Sequence, residues 1–182
     1  KSKLLNSDWM EEKTKVKAIE KLDGMVLKVV GSSKYEDYSI FNKEYNSVFE
    51  FINSYYKWDW DELEVNRKMY KLHDPDTWEM DAVDINAYYH PLYNEIVFPA
   101  AILQEPFYSS EYSFGENAGG IGAVIAHEIT HGFDDEGSKY DNEGYLHGWW
   151  SDIDRKKYEG IISPMENYFN NLSYNDKNLN GR

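Results

Sequence analysis

The pentapeptide His127-Glu128-Ile129-Thr130-His131 has the residue types and the spacing to do chemistry. Residues four apart project from one face of a helix, so the imidazoles of His127 and His131 can converge on a single metal ion. Glu128 stands about 100° further round, where it can reach a metal-bound water without itself being a ligand. Zinc suits such a pair: it accepts imidazole nitrogen at about 2.0–2.1 Å and tolerates an open position for water. Water held there can ionise near pH 7. Glu128 is then the candidate general base, taking that proton and passing it to a leaving amine. A shuffled chain of this composition would contain about 0.01 such motifs, which argues against coincidence.

Two histidines do not complete a zinc site. The metzincin solution places a third histidine six residues after the second, but that position is Gly137, and Asp134 stands where a glycine would be needed. The other solution is a downstream glutamate followed four residues later by an aspartate. Glu136, Glu143, Glu159 and Glu166 are followed at that distance by Tyr140, His147, Ser163 and Asn170, so none fits. The third ligand is therefore expected outside these 182 residues. His73, His90 and His147 are isolated in predicted turns and read as surface or packing residues. Gly120-Ile-Gly122 lacks the third glycine of a dinucleotide loop, so that reading is rejected.

The elements that must position the motif follow from periodicity. Asp8 and Glu11 look like the start of a helix that ends at Gly24, with the Lys/Glu run from Glu11 to Lys21 as its solvated face. Val26–Val30 is a strand or a helix end. Tyr45, Val48, Phe49, Ile52, Tyr55 and Tyr56 mark a second amphipathic helix. Trp58-Asp-Trp60 closes it or opens another that runs to Leu72, and His73-Asp-Pro-Asp is a turn. After Trp78 the character changes, dividing the chain into a helical segment, 1–78, and a second part, 79–182. Asn86–Tyr89 and Glu95–Pro99 read as two strands. Ala100–Leu103 reads as a short helix and Ser151–Tyr168 as a longer one. Ile121 through Ile129 is apolar almost all round, which predicts a buried helix carrying the motif. The sum is a mainly helical α+β fold with a small β region.

Composition bounds the partners. The chain has 182 residues, a formal net charge of −14 and no cysteine. Disulfides, thiolate zinc sites and thiol catalysis are excluded, so any metal must be held by His, Asp or Glu. The acidity disfavours nucleic acid. No apolar stretch approaches the roughly 20 residues of a membrane span, so no membrane contact is expected from this segment.

These residues resemble the neprilysin-like zinc metallopeptidases, which include endothelin-converting enzymes and bacterial oligopeptidases. The resemblance is carried by Asn86-Ala-Tyr-Tyr89, Asn94-Glu-Ile-Val-Phe-Pro-Ala-Ala-Ile-Leu-Gln104, Gly119-Gly-Ile-Gly122, His127-Glu-Ile-Thr-His-Gly-Phe-Asp-Asp135 and Gly148-Trp-Trp150. It extends over essentially the whole chain.

The resemblance implies a partial thermolysin-like (gluzincin) catalytic domain, with residues 79–182 its incomplete core and one Zn2+ per complete site. His127 and His131 would be zinc ligands and Glu128 the base. Asn86 and Ala87 would hold the substrate backbone. Ile102, Phe107 and Val124 would wall the pocket for a large apolar side chain just after the scissile bond, and an aspartate of the pair Asp134-Asp135, Asp135 favoured over Asp134, would orient His131. The substrates implied are short peptides. The third ligand would lie just beyond Arg182, and the remainder of the catalytic domain would be missing from this chain, leaving the fragment inactive alone. Absence of cysteine points to a bacterial cytoplasmic protein, with export or the cell surface as the alternative. The competing reading is a catalytically silent peptide-binding module that has lost the metal.

Overall fold

The computed structural model describes residues 1–33, 38–69 and 76–181. In chain order these form helices α1 (Ser2–Leu5) and α2 (Glu12–Asp23), strand β1 (Val26–Val30), helix α3 (Val48–Met69) and strands β2 (Tyr88–His90) and β3 (Glu95–Pro99). Helices α4 (Phe114–Gly119), α5 (Ile121–His131) and α6 (Asp152–Asn170) follow, and then a small hairpin, β4 (Ser173–Tyr174) and β5 (Lys177–Asn178). The architecture is mainly helical with two small sheets.

Strand β3 organises the first sheet. Its five residues are all buried, as befits a central strand covered on both faces. It pairs in parallel with β1, Val26 opposite Glu95 through Val30 opposite Pro99. On its other side it pairs antiparallel with β2, Tyr89 opposite Ile96. The β2–β3 turn closes through Asn94, which adopts φ +48°, a conformation asparagine tolerates better than most residues. Its carbonyl accepts from Val26 N at 2.9 Å, which starts the parallel pairing as the chain leaves α2.

The apolar core joins this sheet to α5. Ala87, Ile96, Phe98, Ile102 and Ile121 form one buried cluster, against which Tyr89, Phe107, Val124 and Ile129 pack. A β-carbon at Gly120 would collide with the carbonyl of Phe107. That same carbonyl accepts from Ile121 N at 2.7 Å, so the glycine lets the preceding loop close onto the start of α5.

Several expectations are corrected. Asp8 is not the cap of α2: the cap position is Glu11, which makes no side-chain cap bond. Glu11 N–H donates instead to Asp154 at the start of α6, at 3.0 Å. The solvated Lys/Glu face of α2 stops short of Lys21, since Thr14, Ala18 and Lys21 are the buried residues of that helix. Val26–Val30 takes the first of its two expected forms, a strand, but its burial is inverted, with Lys28 buried and Val26, Leu27, Val29 and Val30 exposed. Lys28 reaches the carboxylate of Glu95 at 2.8 Å and the carbonyl of Thr77 at 2.9 Å. Trp58 and Trp60 lie within α3 rather than at a break. Leu72 and the first three residues of the His73-Asp-Pro-Asp turn lie outside the described residues, and Asp76 is a turn residue.

Helix α5 is not buried all round. Only Ile121 and Glu128 are buried in it, and Ala123, Ile125, Ala126, His127 and Thr130 are exposed. An apolar pattern on every side calls for neighbours on every side, and among the described elements α4 and β2 are the main ones packed against α5.

Candidate metal centre

The two histidines meet as their spacing requires. His127 Nε2 and His131 Nε2 are 3.0 Å apart, with the rings nearly perpendicular at 84°. Two nitrogens sharing one tetrahedral zinc at about 2.05 Å would lie roughly 3.3 Å apart, so the pair fits that ion. Among the described residues no third His, Asp or Glu completes a cluster with them.

His131 is fixed from behind. Its Nδ1 lies 2.7 Å from Oδ2 of Asp134, which leaves Nε2 to face His127. The other oxygen of Asp134 accepts from Glu136 N at 3.0 Å and Gly137 N at 2.7 Å. Of the two aspartates the resemblance implies, the carboxylate on His131 is that of Asp134 and not that of the favoured Asp135. The chain turns at Gly132, and the residue three after His131 folds back over the helix end while the next points elsewhere. A carboxylate on the remote ring nitrogen sets the tautomer and raises the basicity of the nitrogen that faces the metal.

Glu128 is only 5% exposed. Burial pushes its carboxyl above the usual carboxylate range, against the opposing pull of His131 and His127. A bound divalent cation would act in the same sense as the histidines, favouring the ionised form. A raised affinity for protons suits a group that must take one.

A cleft of about 490 Å³ brings Asn86, Ala87, His127, Glu128 and His131 together. Five of the residues singled out in the sequence thus share one space. Ile102, Phe107 and Val124 do not line it: Ile102 belongs to the core cluster beside Ala87, and the other two pack against that cluster. Tyr89 and Tyr140 also line the cleft, and sequence reasoning missed both. Burial, with Asp134 adding to it, pushes the phenol of Tyr89 far above its usual value. It stays neutral and its O–H donates a hydrogen bond to Asn94 Oδ1 at 3.1 Å. His90 is a packing residue, paired with Glu79 at 3.1 Å and stacked on Tyr93. His147 is exposed.

Residues 86–182, just over half of the chain, match the description of Peptidase family M13. The neutral endopeptidase of Lactococcus lactis subsp. cremoris is 40% identical over 185 residues, which cover 100% of this chain and 29% of that protein. Endothelin-converting enzyme 1 of Homo sapiens is 36% identical over 183 residues, covering 96% of this chain and 23% of that protein. The crystal structure of PEPO from Lactobacillus rhamnosis HN001 superposes with a TM-score of 0.82 at 33% identity, covering 99% of this chain and 29% of that one. The Mycobacterium tuberculosis zinc metalloprotease ZMP1, in complex with inhibitor, gives a TM-score of 0.78 at 38% identity over 96% of this chain and 26% of that one. The chain spans less than a third of the length of these relatives. The motif, the fold and these likenesses agree, and the chain belongs to peptidase family M13.

Proposed function

We propose that the protein carrying this chain is a zinc endopeptidase with a thermolysin-like catalytic domain, which hydrolyses short peptides on the amino side of large apolar residues. The observation that carries the reading is the shared cleft, in which two converging imidazoles and a buried carboxylate face Asn86 and Ala87. The likeness to proteins named neutral endopeptidase and zinc metalloprotease supports it.

His127 and His131 would hold the zinc, which supplies a Lewis acid for the scissile carbonyl and activates water. Glu128 takes a proton from the attacking water and returns it to the leaving nitrogen. Asp134 keeps His131 in the tautomer that offers Nε2. Asn86 and Ala87 fix the peptide backbone so that the bond to be cut lies over Glu128. Ile102, Phe107 and Val124 pack in or against the core cluster beside Ala87, behind the cleft rather than along it. The described residues supply two ligands, so activity is expected of the full-length protein and not of the 182 residues alone. A bacterial cytoplasmic setting is proposed from the family resemblance of a cysteine-free chain, with export or the cell surface as the alternative.

The test is hydrolysis of internally quenched peptides by the full-length protein. Glu128→Gln should lower kcat by a factor of about 10² to 10⁴ while zinc is retained. Wild-type turnover in that variant, or activity indifferent to a chelator, would overturn the mechanism. A silent peptide-binding module would instead carry zinc well below one equivalent.

A further inference from the structure

We propose that Lys21, on α2 and far from the motif in sequence, is a positioning residue for His131, acting through the Gly137–Tyr140 loop and Asp134. The inference rests on the zinc-peptidase reading only in its last step, the effect on the metal.

Lys21 is 1% exposed. Its ammonium donates to the carbonyl of Gly137 at 2.6 Å and to that of Tyr140 at 2.7 Å. It also sits over the rings of Tyr89, at 5.7 Å from the centroid, and Trp149, at 5.8 Å. Trp149 Nε1 donates to the same Tyr140 carbonyl at 2.9 Å. The backbone of Lys21 is held as well, its carbonyl accepting from Asn94 Nδ2 at 2.9 Å. Carbonyls and aromatic faces thus make up its immediate surroundings, with Asp134 and Asp141 acting on it at longer range.

Such a site is costly for a cation. Burial pushes the Lys21 ammonium down to about 8 from its ordinary 10.5. If the position needed only to be filled, an apolar side chain would do so without desolvating a charge. What the lysine adds is a donor for two loop carbonyls that converge on it. The residue it grips is the one that matters to His131. Gly137 offers its carbonyl to Lys21 and its N–H to Asp134 Oδ1, and Asp134 Oδ2 holds His131 Nδ1. With the ammonium gone, the loop can drift outward and take with it the amides that orient Asp134.

Three measurements on the full-length protein decide the matter: zinc release to a chelating dye, kcat and KM, and hydrogen exchange of the 136–140 amides without metal. Lys21→Met should release zinc about tenfold faster, lower kcat with KM within twofold, and raise exchange at Gly137. The double variant Lys28→Met/Glu95→Gln removes a different buried lysine and should leave zinc release unchanged. Zinc release within twofold of wild type in Lys21→Met, or an equal acceleration in the control, would overturn the proposal. If Lys21→Met does not fold, Lys21→Gln is read in the same way, since its shorter amide cannot span both carbonyls; a wild-type release rate there is equally fatal. Should the wild-type protein hold no zinc, the proposed function fails, and exchange at Gly137 alone decides whether Lys21 holds the loop.

Discussion

Oδ2 of Asp134 stands 2.7 Å from Nδ1 of His131, one turn beyond the helix that carries both histidines. The same carboxylate accepts two loop amides through its other oxygen. It therefore joins the conformation of the 134–137 turn to the direction in which His131 points.

Asp134→Asn should weaken zinc binding about 10- to 100-fold, the range seen when a carboxylate behind a ligating histidine is removed. Asp135→Asn, one residue along, should leave affinity within twofold. Competition with a chromophoric chelator measures both, and equal effects at the two positions would remove the assignment of Asp134.

Gly137→Ala should destabilise the fold by about 1–3 kcal/mol. A β-carbon there would collide with the carbonyl of His131 and crowd the backbone of Gly132. Gly148→Ala is the comparison, because a β-carbon there meets nothing within 4 Å. Chemical denaturation should separate the two clearly.

The buried pair Lys28–Glu95 joins neighbouring strands β1 and β3, with side chains 7% and 2% exposed. Lys28→Met alone leaves the carboxylate buried with its cation removed and should cost about 3–5 kcal/mol. Adding Glu95→Gln removes the stranded charge and should recover most of the loss. A double variant no more stable than the single would show that the pair is not what holds this end of the sheet.

Stability should depend on pH through Lys21. Burial lowers its folded-state pKa to about 8, below the ordinary 10.5. Below pH 8 the ammonium is charged in both states and the full cost of burying it is present. Between pH 8 and 10.5 the folded protein gives up the proton while the unfolded chain keeps it, so stability contributed by this group rises with pH. At about 1.4 kcal/mol per unit the gain is at most about 3–4 kcal/mol. The difference in Tm between wild type and Lys21→Met isolates it, and should move in favour of wild type from pH 7.5 to 10. A flat difference would mean that the lysine is not desolvated.

What the sequence by itself determined was local. The four-residue spacing of His127 and His131 placed two nitrogens 3.0 Å apart, because helix geometry alone carries residues four apart to one face. Helical and strand periodicity likewise located α2, β3, α5 and α6 to within a few residues. Tertiary structure decided whatever depended on which neighbour a side chain meets. Lys21 belongs to a charged run that looks solvated, yet it faces inward because Thr14, Ala18 and Lys21 share the buried side of α2. Asp134 and Asp135 are indistinguishable by type, and the turn after Gly132 chose between them. Helix α5 looked buried throughout, but a pattern records only the burial a segment can accept. How much it receives depends on the elements packed against it, and here the described ones leave Ala123, Ile125, Ala126, His127 and Thr130 exposed.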